Sequence, residues 1–162
     1  SPEDTVSDSK TGLGDWYVNL LRINRRKCLL FTNEKTLYSF IVPKVLKKQI
    51  LNIRNEFLVN LVYNLRYEGI AGEAIQRVEQ EYSNIGIAKT KSKSVLGSMN
   101  DIANQVYFIL SDPRLEQATQ LGDVNRPLNR NPLSAIGHKY AIKLIKENLE
   151  QQHRISRFHR WT

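Results

Sequence analysis

The sequence contains one cysteine, Cys28, and it has no long uninterrupted run of apolar residues. A single cysteine excludes an internal disulfide, which favours a reducing, cytoplasmic setting. No apolar stretch approaches the roughly 20 residues that a membrane-spanning helix needs, so no membrane association is expected. The polar and acidic first residues do not have the pattern of a secretory signal peptide. The spacing of Cys28 and the three histidines fits no zinc site, so we expect neither a metal nor a cofactor.

Acidic residues are scarce relative to basic ones, with 16 Asp and Glu against 24 Lys and Arg and a net charge of +8. The excess is concentrated between Arg22 and Lys48, where eight basic residues stand against a single acid, Glu34. Smaller basic clusters are Lys89, Lys91 and Lys93, and Arg154, Arg157 and Arg160 near the C-terminus. Clustered cations attract phosphate backbones through counterion release. The alternative interpretation is a basic surface that only keeps the protein soluble.

The chain length of 162 residues fits one domain with a substantial core. We predict a flexible leader over residues 1–14, a single α+β domain over 15–152 and a basic tail over 153–162. Alternation and β-branched or aromatic residues predict strands over Trp16–Ile23, Cys28–Thr32 and Thr36–Val42. The first two are joined by a turn over Asn24–Lys27. We expect these strands to form a small antiparallel meander that packs against several α-helices.

Apolar spacings of three and four predict the helices. They cover Val45–Tyr67, Glu73–Tyr82, Ser94–Leu110 (with Ser94 as its N-cap) and Tyr140–Gln152. A short extended piece is expected over Asn84–Thr90, and Pro127 leaves Leu121–Pro132 ambiguous because proline disfavours a continuous helix. Gly97 is interpreted as a site of close helix packing. One buried cluster is predicted to contain Phe57, Leu61, Leu96, Ile102 and Val106.

Three ordered blocks carry a family resemblance. They are WYVNLLRINRRKCLLFTNEKTLYSFIVP at Trp16–Pro43, VLGSMND at Val95–Asp101 and LNRNPLSAIGHKY at Leu128–Tyr140. The chain resembles a family of small uncharacterised proteins of bacteria, phages and plasmids. The resemblance implies a mobile-element setting and does not imply any biochemical activity. The chain departs from the family pattern in lacking a further short strand before its start, and in carrying Arg126-Pro127 where relatives have an uninterrupted helical segment.

Individual residues suggest several kinds of chemistry. Lys27 could activate Cys28 as a nucleophile, although neighbouring strand residues point to opposite faces and a buried cysteine is the alternative. His138 has the titration range of a general base but no paired acid nearby in the sequence. The block VLGSMND contains Gly and Ser near a helix start, a combination that can bind anions. Its spacing does not match that of a phosphate-binding loop.

The segment around Val124–Arg130 is rich in hydrogen-bond donors. If it is helical, Asn125 and Asn129 share one face, as do Arg126 and Arg130. Asn and Arg side chains can read adenine and guanine edges. The alternative is that these side chains tie down an irregular loop.

The leading hypothesis for function is a non-enzymatic interaction or regulatory domain that binds nucleic acid through a basic face. One alternative is a metal-independent nuclease or toxin-like enzyme with His138 beside the basic turn. Another is a domain whose basic face binds an acidic protein. The predicted nucleic-acid contacts are Arg25, Arg26, Lys27, Lys44, Lys47, Lys48, Arg126 and Arg130.

Overall fold

The computed structural model describes residues 12–82, 93–112, 121–133 and 136–159, and this part of the chain contains six helices and five strands. In chain order they are β1 (Trp16–Ile23), β2 (Arg26–Asn33), β3 (Ser39–Val42), α1 (Lys47–Leu51), α2 (Ile53–Tyr67), α3 (Gly72–Tyr82), α4 (Lys93–Leu110), α5 (Leu121–Leu128), β4 (Pro132–Leu133), β5 (Lys139–Tyr140) and α6 (Ala141–His159). The predicted α+β class is confirmed. The predicted piece at Asn84–Thr90 and most of the predicted leader lie outside the described residues. Leu13, which the predicted leader includes, is fully buried in the core.

The three N-terminal strands form the predicted antiparallel meander, in the order β1-β2-β3. Ile23 pairs with Arg26, so only Asn24 and Arg25 form the turn, and both have positive φ. A two-residue hairpin turn with positive φ at both positions matches the twist of its strands. The turn is therefore shorter than predicted, because Arg26 and Lys27 already belong to β2.

Asn33 determines where the third strand begins. Its Oδ1 accepts hydrogen bonds from the backbone N–H groups of Lys35 and Thr36, at 3.2 and 3.0 Å, and from the Thr36 hydroxyl at 2.9 Å. These bonds hold the chain in a turn, as Asn side chains commonly do. The strand consequently begins at Ser39 rather than at the predicted Thr36.

The sheet is the middle layer of the fold. Leu29 and Phe31 on β2 pack into a first cluster with side chains of α2, α3 and α6, such as Phe57. Cys28 and Leu30 point to the opposite face, into a second cluster built with α4 and α5. Two covered faces explain why β2 is apolar at successive positions.

The predicted single core cluster is wrong, because the sheet divides it. Phe57 and Leu61 belong to the first cluster, whereas Ile102 and Val106 belong to the second. Leu96 was predicted to be buried, but 42% of it is exposed. Helical spacing identifies an apolar stripe, but it does not specify which face of a sheet the stripe covers.

The predicted helices differ from the observed ones in their bounds. The predicted helix over Val45–Tyr67 is two helices, α1 and α2, separated by Asn52 with φ −113° and ψ 43°. The last helix continues beyond the predicted Gln152 to His159. Helix α4 begins at Lys93, so Ser94 lies inside the helix instead of capping it.

Proline and glycine positions also differ from expectation. Helix α5 contains Pro127 in its last turn, so the ambiguous segment is helical through Leu128. Among the described residues, a Cβ atom at Gly97 would have no neighbour within 4 Å, which contradicts the predicted close packing there. The close contact is instead at Gly122, where a Cβ would collide with the Tyr67 ring.

Replacing Phe57 with Ala should lower the free energy of unfolding by about 3–5 kcal/mol, the usual loss for a buried aromatic ring. Phe57 lies 5.4 Å from the rings of both Trp16 and Phe31, measured between centroids, so a cavity would open between α2 and the sheet. Urea denaturation measures the change. Val59→Ala on the same helix is the control, because Val59 is 58% exposed and should shift stability by less than about 0.5 kcal/mol. Equal effects of the two changes would contradict this packing.

Candidate nucleic-acid interface

Six of the eight predicted contact residues lie at one end of the sheet. Leu29 pairs with both Leu20 and Val42, so the turn after β1 and the chain after β3 leave the sheet at the same end. The backbone N–H of Val45 donates to the carbonyl of Lys27 at 3.0 Å, which joins the two basic segments directly. We call this surface the basic end; it comprises Arg22, Arg25, Arg26, Lys27, Lys44, Lys47 and Lys48.

The basic end contains a pair of like charges that the strand register forces together. Arg22 pairs directly with Lys27, so both side chains project from the same face. Like charges directly opposite each other destabilise a sheet. Glu34, the one acid in this stretch of sequence, lies at the other end of the hairpin, where its carboxylate accepts from the Asp15 N–H at 3.3 Å. It therefore does not neutralise the pair.

Two cations of the basic end occupy backbone positions that suit glycine. Arg25 has φ 65° and Lys44 has φ 57°. A residue with a Cβ pays roughly 1–2 kcal/mol for the left-handed conformation, and glycine adopts it freely. The chain thus keeps positive charge at two positions where a glycine would strain the backbone less.

The seven cations are accessible. Lys27 is half-buried and the other six are exposed. Among the residues that the structure describes, no carboxylate forms an ion pair with any of them. Three exposed leucines lie in the same segments: Leu20 (45% exposed), Leu46 (71%) and Leu51 (78%). The basic end is therefore a solvent-facing surface of uncompensated positive charge.

Arg126 and Arg130, the other two predicted contacts, lie elsewhere. Arg130 donates through Nη1 and Nη2 to the two carboxylate oxygens of Glu68, at 2.9 and 2.5 Å, and this bonding raises the pKa of Arg130. The Nε atom of Arg126 lies 3.9 Å from the same carboxylate. Both arginines flank Asn129, which bonds to the first residue of β3, whereas the basic end lies beyond its last residue. Glu68 was missed by sequence reasoning, because nothing local to it signals a partner 62 residues away.

Asn125 on α5 and Asn129, one residue beyond its end, both bind the outer edge of β3. Asn129 accepts from the Ser39 N–H and donates to the Ser39 carbonyl, both at 2.7 Å, as a neighbouring strand would. Asn125 accepts from the Ile41 N–H at 2.8 Å and donates to Asn64 on α2 at 3.0 Å. Both asparagines are buried, so their amides bind a strand edge and are not available to bases. The segment is helical only through Leu128, and Asn129, Arg130 and Asn131 follow the helix in turns.

The two candidate catalytic residues, Cys28 and His138, differ in their exposure to solvent. Cys28 is buried, and desolvation raises its pKa to about 12, so the thiol stays protonated at neutral pH. His138 lies in the exposed turn between β4 and β5, with its backbone N–H bonded to the Leu133 carbonyl at 2.8 Å. Over the described ranges, no group of three or more His, Cys, Asp or Glu side chains could hold a metal ion. Within those ranges, no helix is long and apolar enough to cross a membrane.

The fold and this surface define a small α+β domain with one strongly basic end. Comparison with protein families shows that the model of the family described as "Domain of unknown function (DUF6933)" matches residues 1–144, and the chain belongs to that family. No curated protein and no solved structure matches the chain significantly. Family membership therefore agrees with the resemblance to uncharacterised proteins and assigns no activity.

Replacing Arg25 or Lys44 with Gly should leave the protein as stable or raise the free energy of unfolding by up to about 1 kcal/mol. Relief of the left-handed strain outweighs the entropy that glycine adds to the unfolded chain. Arg26→Gly is the matched control, because it removes the same charge from a strand position and should destabilise by about 0.5–1 kcal/mol. Denaturation in urea at several salt concentrations makes the comparison. A loss of stability in Arg25→Gly as large as in Arg26→Gly would show that the backbone at Arg25 is not strained.

Asn129→Ala should lower the free energy of unfolding by about 2–6 kcal/mol. The change leaves the N–H and carbonyl of Ser39 buried without partners, and each unsatisfied group costs about 1–3 kcal/mol. Asn131→Ala, which removes an exposed bond to Gln105 on α4, is the control and should change stability little. Thermal unfolding followed by circular dichroism reports both. Equal melting temperatures for the two variants would exclude this role for Asn129.

Proposed function

We propose that this protein is a non-enzymatic nucleic-acid-binding module that contacts phosphates through the basic end. One observation carries the proposal: the chain keeps cations where they weaken the fold. Arg22 faces Lys27 across the hairpin, and Arg25 and Lys44 hold positive φ. Strain and repulsion that the fold does not need point to a ligand that uses them.

Nucleic acid is the polyanion that suits this surface. Arginine binds phosphate oxygens in pairs and lysine binds them as a point charge, and both types are present. The cations come from the β1–β2 hairpin, a loop and a short helix, so they form a broad surface instead of a single anion pocket. A repeating phosphate backbone can engage such a surface at several points and release a counterion at each.

The remaining parts of the sequence-based hypothesis belong to the same proposal. A cytoplasmic, regulatory role in a mobile element fits a small basic module without catalytic chemistry. Arg126, half of whose side chain is exposed, is the more accessible of the two contacts outside the basic end, since Glu68 holds Arg130. The buried Cys28 thiol, protonated at neutral pH, offers no nucleophile, and the proposal expects the bound nucleic acid to stay uncleaved.

The test is a salt titration of binding, read by filter retention with labelled DNA and RNA. The logarithm of the binding constant should fall linearly with the logarithm of salt concentration. Changing Arg25, Arg26 and Lys27 together to Ser should reduce the slope by up to about two to three, since each lost phosphate contact removes roughly 0.7–0.9. The nucleic acid should remain intact when Mg²⁺ is added.

The matched control changes Lys139 and Lys143, two exposed lysines away from the basic end, to Ser. This variant should keep the wild-type slope. An absence of retention at about 50 mM salt, where screening is modest, would overturn the proposal. Binding of an acidic protein at the basic end would then replace it. Cleavage that depends on His138 would instead support the nuclease alternative.

A further inference from the structure

The solvent-facing side of α2 continues directly from the basic end. Helix α1 carries Lys47 and Lys48, and α2 begins two residues after α1 ends. At spacings of three and four along α2, one stripe is exposed. We call this stripe the α2 outer face; it comprises Asn55, Val59, Tyr63 and Arg66. Within this stripe, the aromatic ring of Tyr63 lies between the apolar Val59 and the basic Arg66. The stripe as a whole adjoins the basic end.

The ring of Tyr63 is held in place without being covered. It stacks on Tyr67 one turn later, with 6.1 Å between centroids and 26° between ring planes. Its hydroxyl accepts a hydrogen bond from the Gly122 N–H at 3.3 Å. Gly122 allows this approach, since any Cβ there would collide with Tyr67. Yet 36% of Tyr63 remains exposed, so the ring is fixed in orientation and open to solvent.

Tyr67 is the less suitable of the two rings for a ligand. Its hydroxyl donates to the carboxylate of Asp123, and the Arg126 guanidinium carbon lies 6.0 Å from its centroid. Helix α5 therefore occupies the surroundings of Tyr67, and a carboxylate there repels phosphate. Tyr63 lies farther toward the basic end, about 15 Å along the axis from the start of α2 at 1.5 Å per residue.

We propose that Tyr63 stacks an unpaired base, and that the nucleic acid bound at the basic end is single-stranded. This inference rests on the proposed function and adds the class of ligand to it. When phosphates bind at the basic end, the following nucleotides lie along the α2 outer face. There Arg66 supplies positive charge and the Tyr63 ring is exposed. A base can reach a tyrosine face only when it is not already paired and stacked, and such stacking contributes roughly 1–3 kcal/mol per base.

The experiment compares a labelled oligo-dT with a mixed-sequence duplex of equal length, by fluorescence anisotropy at low salt and then along a salt series. The wild-type protein should bind the single strand more tightly. Tyr63→Leu should weaken single-strand binding about tenfold, within the range expected for one stacked base, without changing the salt slope. Tyr63→Phe keeps the ring and should retain most of the binding. A bromouridine-containing oligonucleotide should crosslink to Tyr63 on irradiation.

The control is Tyr107→Leu, which removes a tyrosine of similar exposure (42%) from α4, on the other side of the sheet. It should leave both affinities unchanged, and circular dichroism should show that each variant folds. Unchanged single-strand affinity in Tyr63→Leu, or equal binding of duplex and single strand, would overturn this inference and leave the basic end as the contact surface. Failure of both nucleic acids to bind would overturn the proposed function itself.

Discussion

Hydrogen bonds from buried asparagine amides join the three layers of this protein. Asn125 on α5 binds the N–H of Ile41 on β3 and donates to Asn64 on α2, and Asn129 binds both backbone groups of Ser39. An exposed strand edge would otherwise pair with other chains, and a buried one would leave polar groups unsatisfied. The amides solve both problems, because each presents a donor and an acceptor in the spacing of a peptide group. The attachment of α5 then determines where Arg126 and Arg130 lie.

The two ends of the sheet are built on opposite electrostatic principles. Near the start of β3, Arg130, which follows α5, is matched by a carboxylate: the Glu68 side chain is 3% exposed and its two oxygens bind the Arg130 guanidinium. A buried charge needs such a partner, because removal from water is costly. At the other end, cations project into solvent without carboxylates among the described residues. The first arrangement serves the fold, and the second leaves the charge available to a ligand.

The basic end and the α2 outer face share a structural origin. Both depend on Asn52, which separates α1 from α2 and turns the chain between them. The short α1 keeps Lys47 and Lys48 beside the hairpin, while α2 packs Phe57 on the sheet and exposes Tyr63 on its far side. The bond from the Val45 N–H to the Lys27 carbonyl anchors the chain just before α1, and the break at Asn52 separates the two proposed contact regions.

Sequence reasoning identified the meander and most helices, because strand alternation and helical spacing are local signals that burial enforces. It also placed six cations at one end of the sheet, since strand direction follows from short connections. It failed where the outcome depends on distant partners. The 42% exposure of Leu96 and the division of the core between two faces follow from which side of the sheet each helix covers. The pairing of Glu68 with Arg130 depends on α5 meeting the end of α2.

By itself, the sequence determined the α+β class, the three strands, the charge of the basic end and the burial of Cys28, because each depends on residues close together in the chain. Only the tertiary structure decided that Arg25 and Lys44 hold positive φ, that Asn125 and Asn129 bind a strand edge and that Tyr63 is fixed yet exposed. These properties arise when elements far apart in sequence pack together and share a limited set of hydrogen bonds. The residues near each position in the sequence therefore do not predict these distant partners.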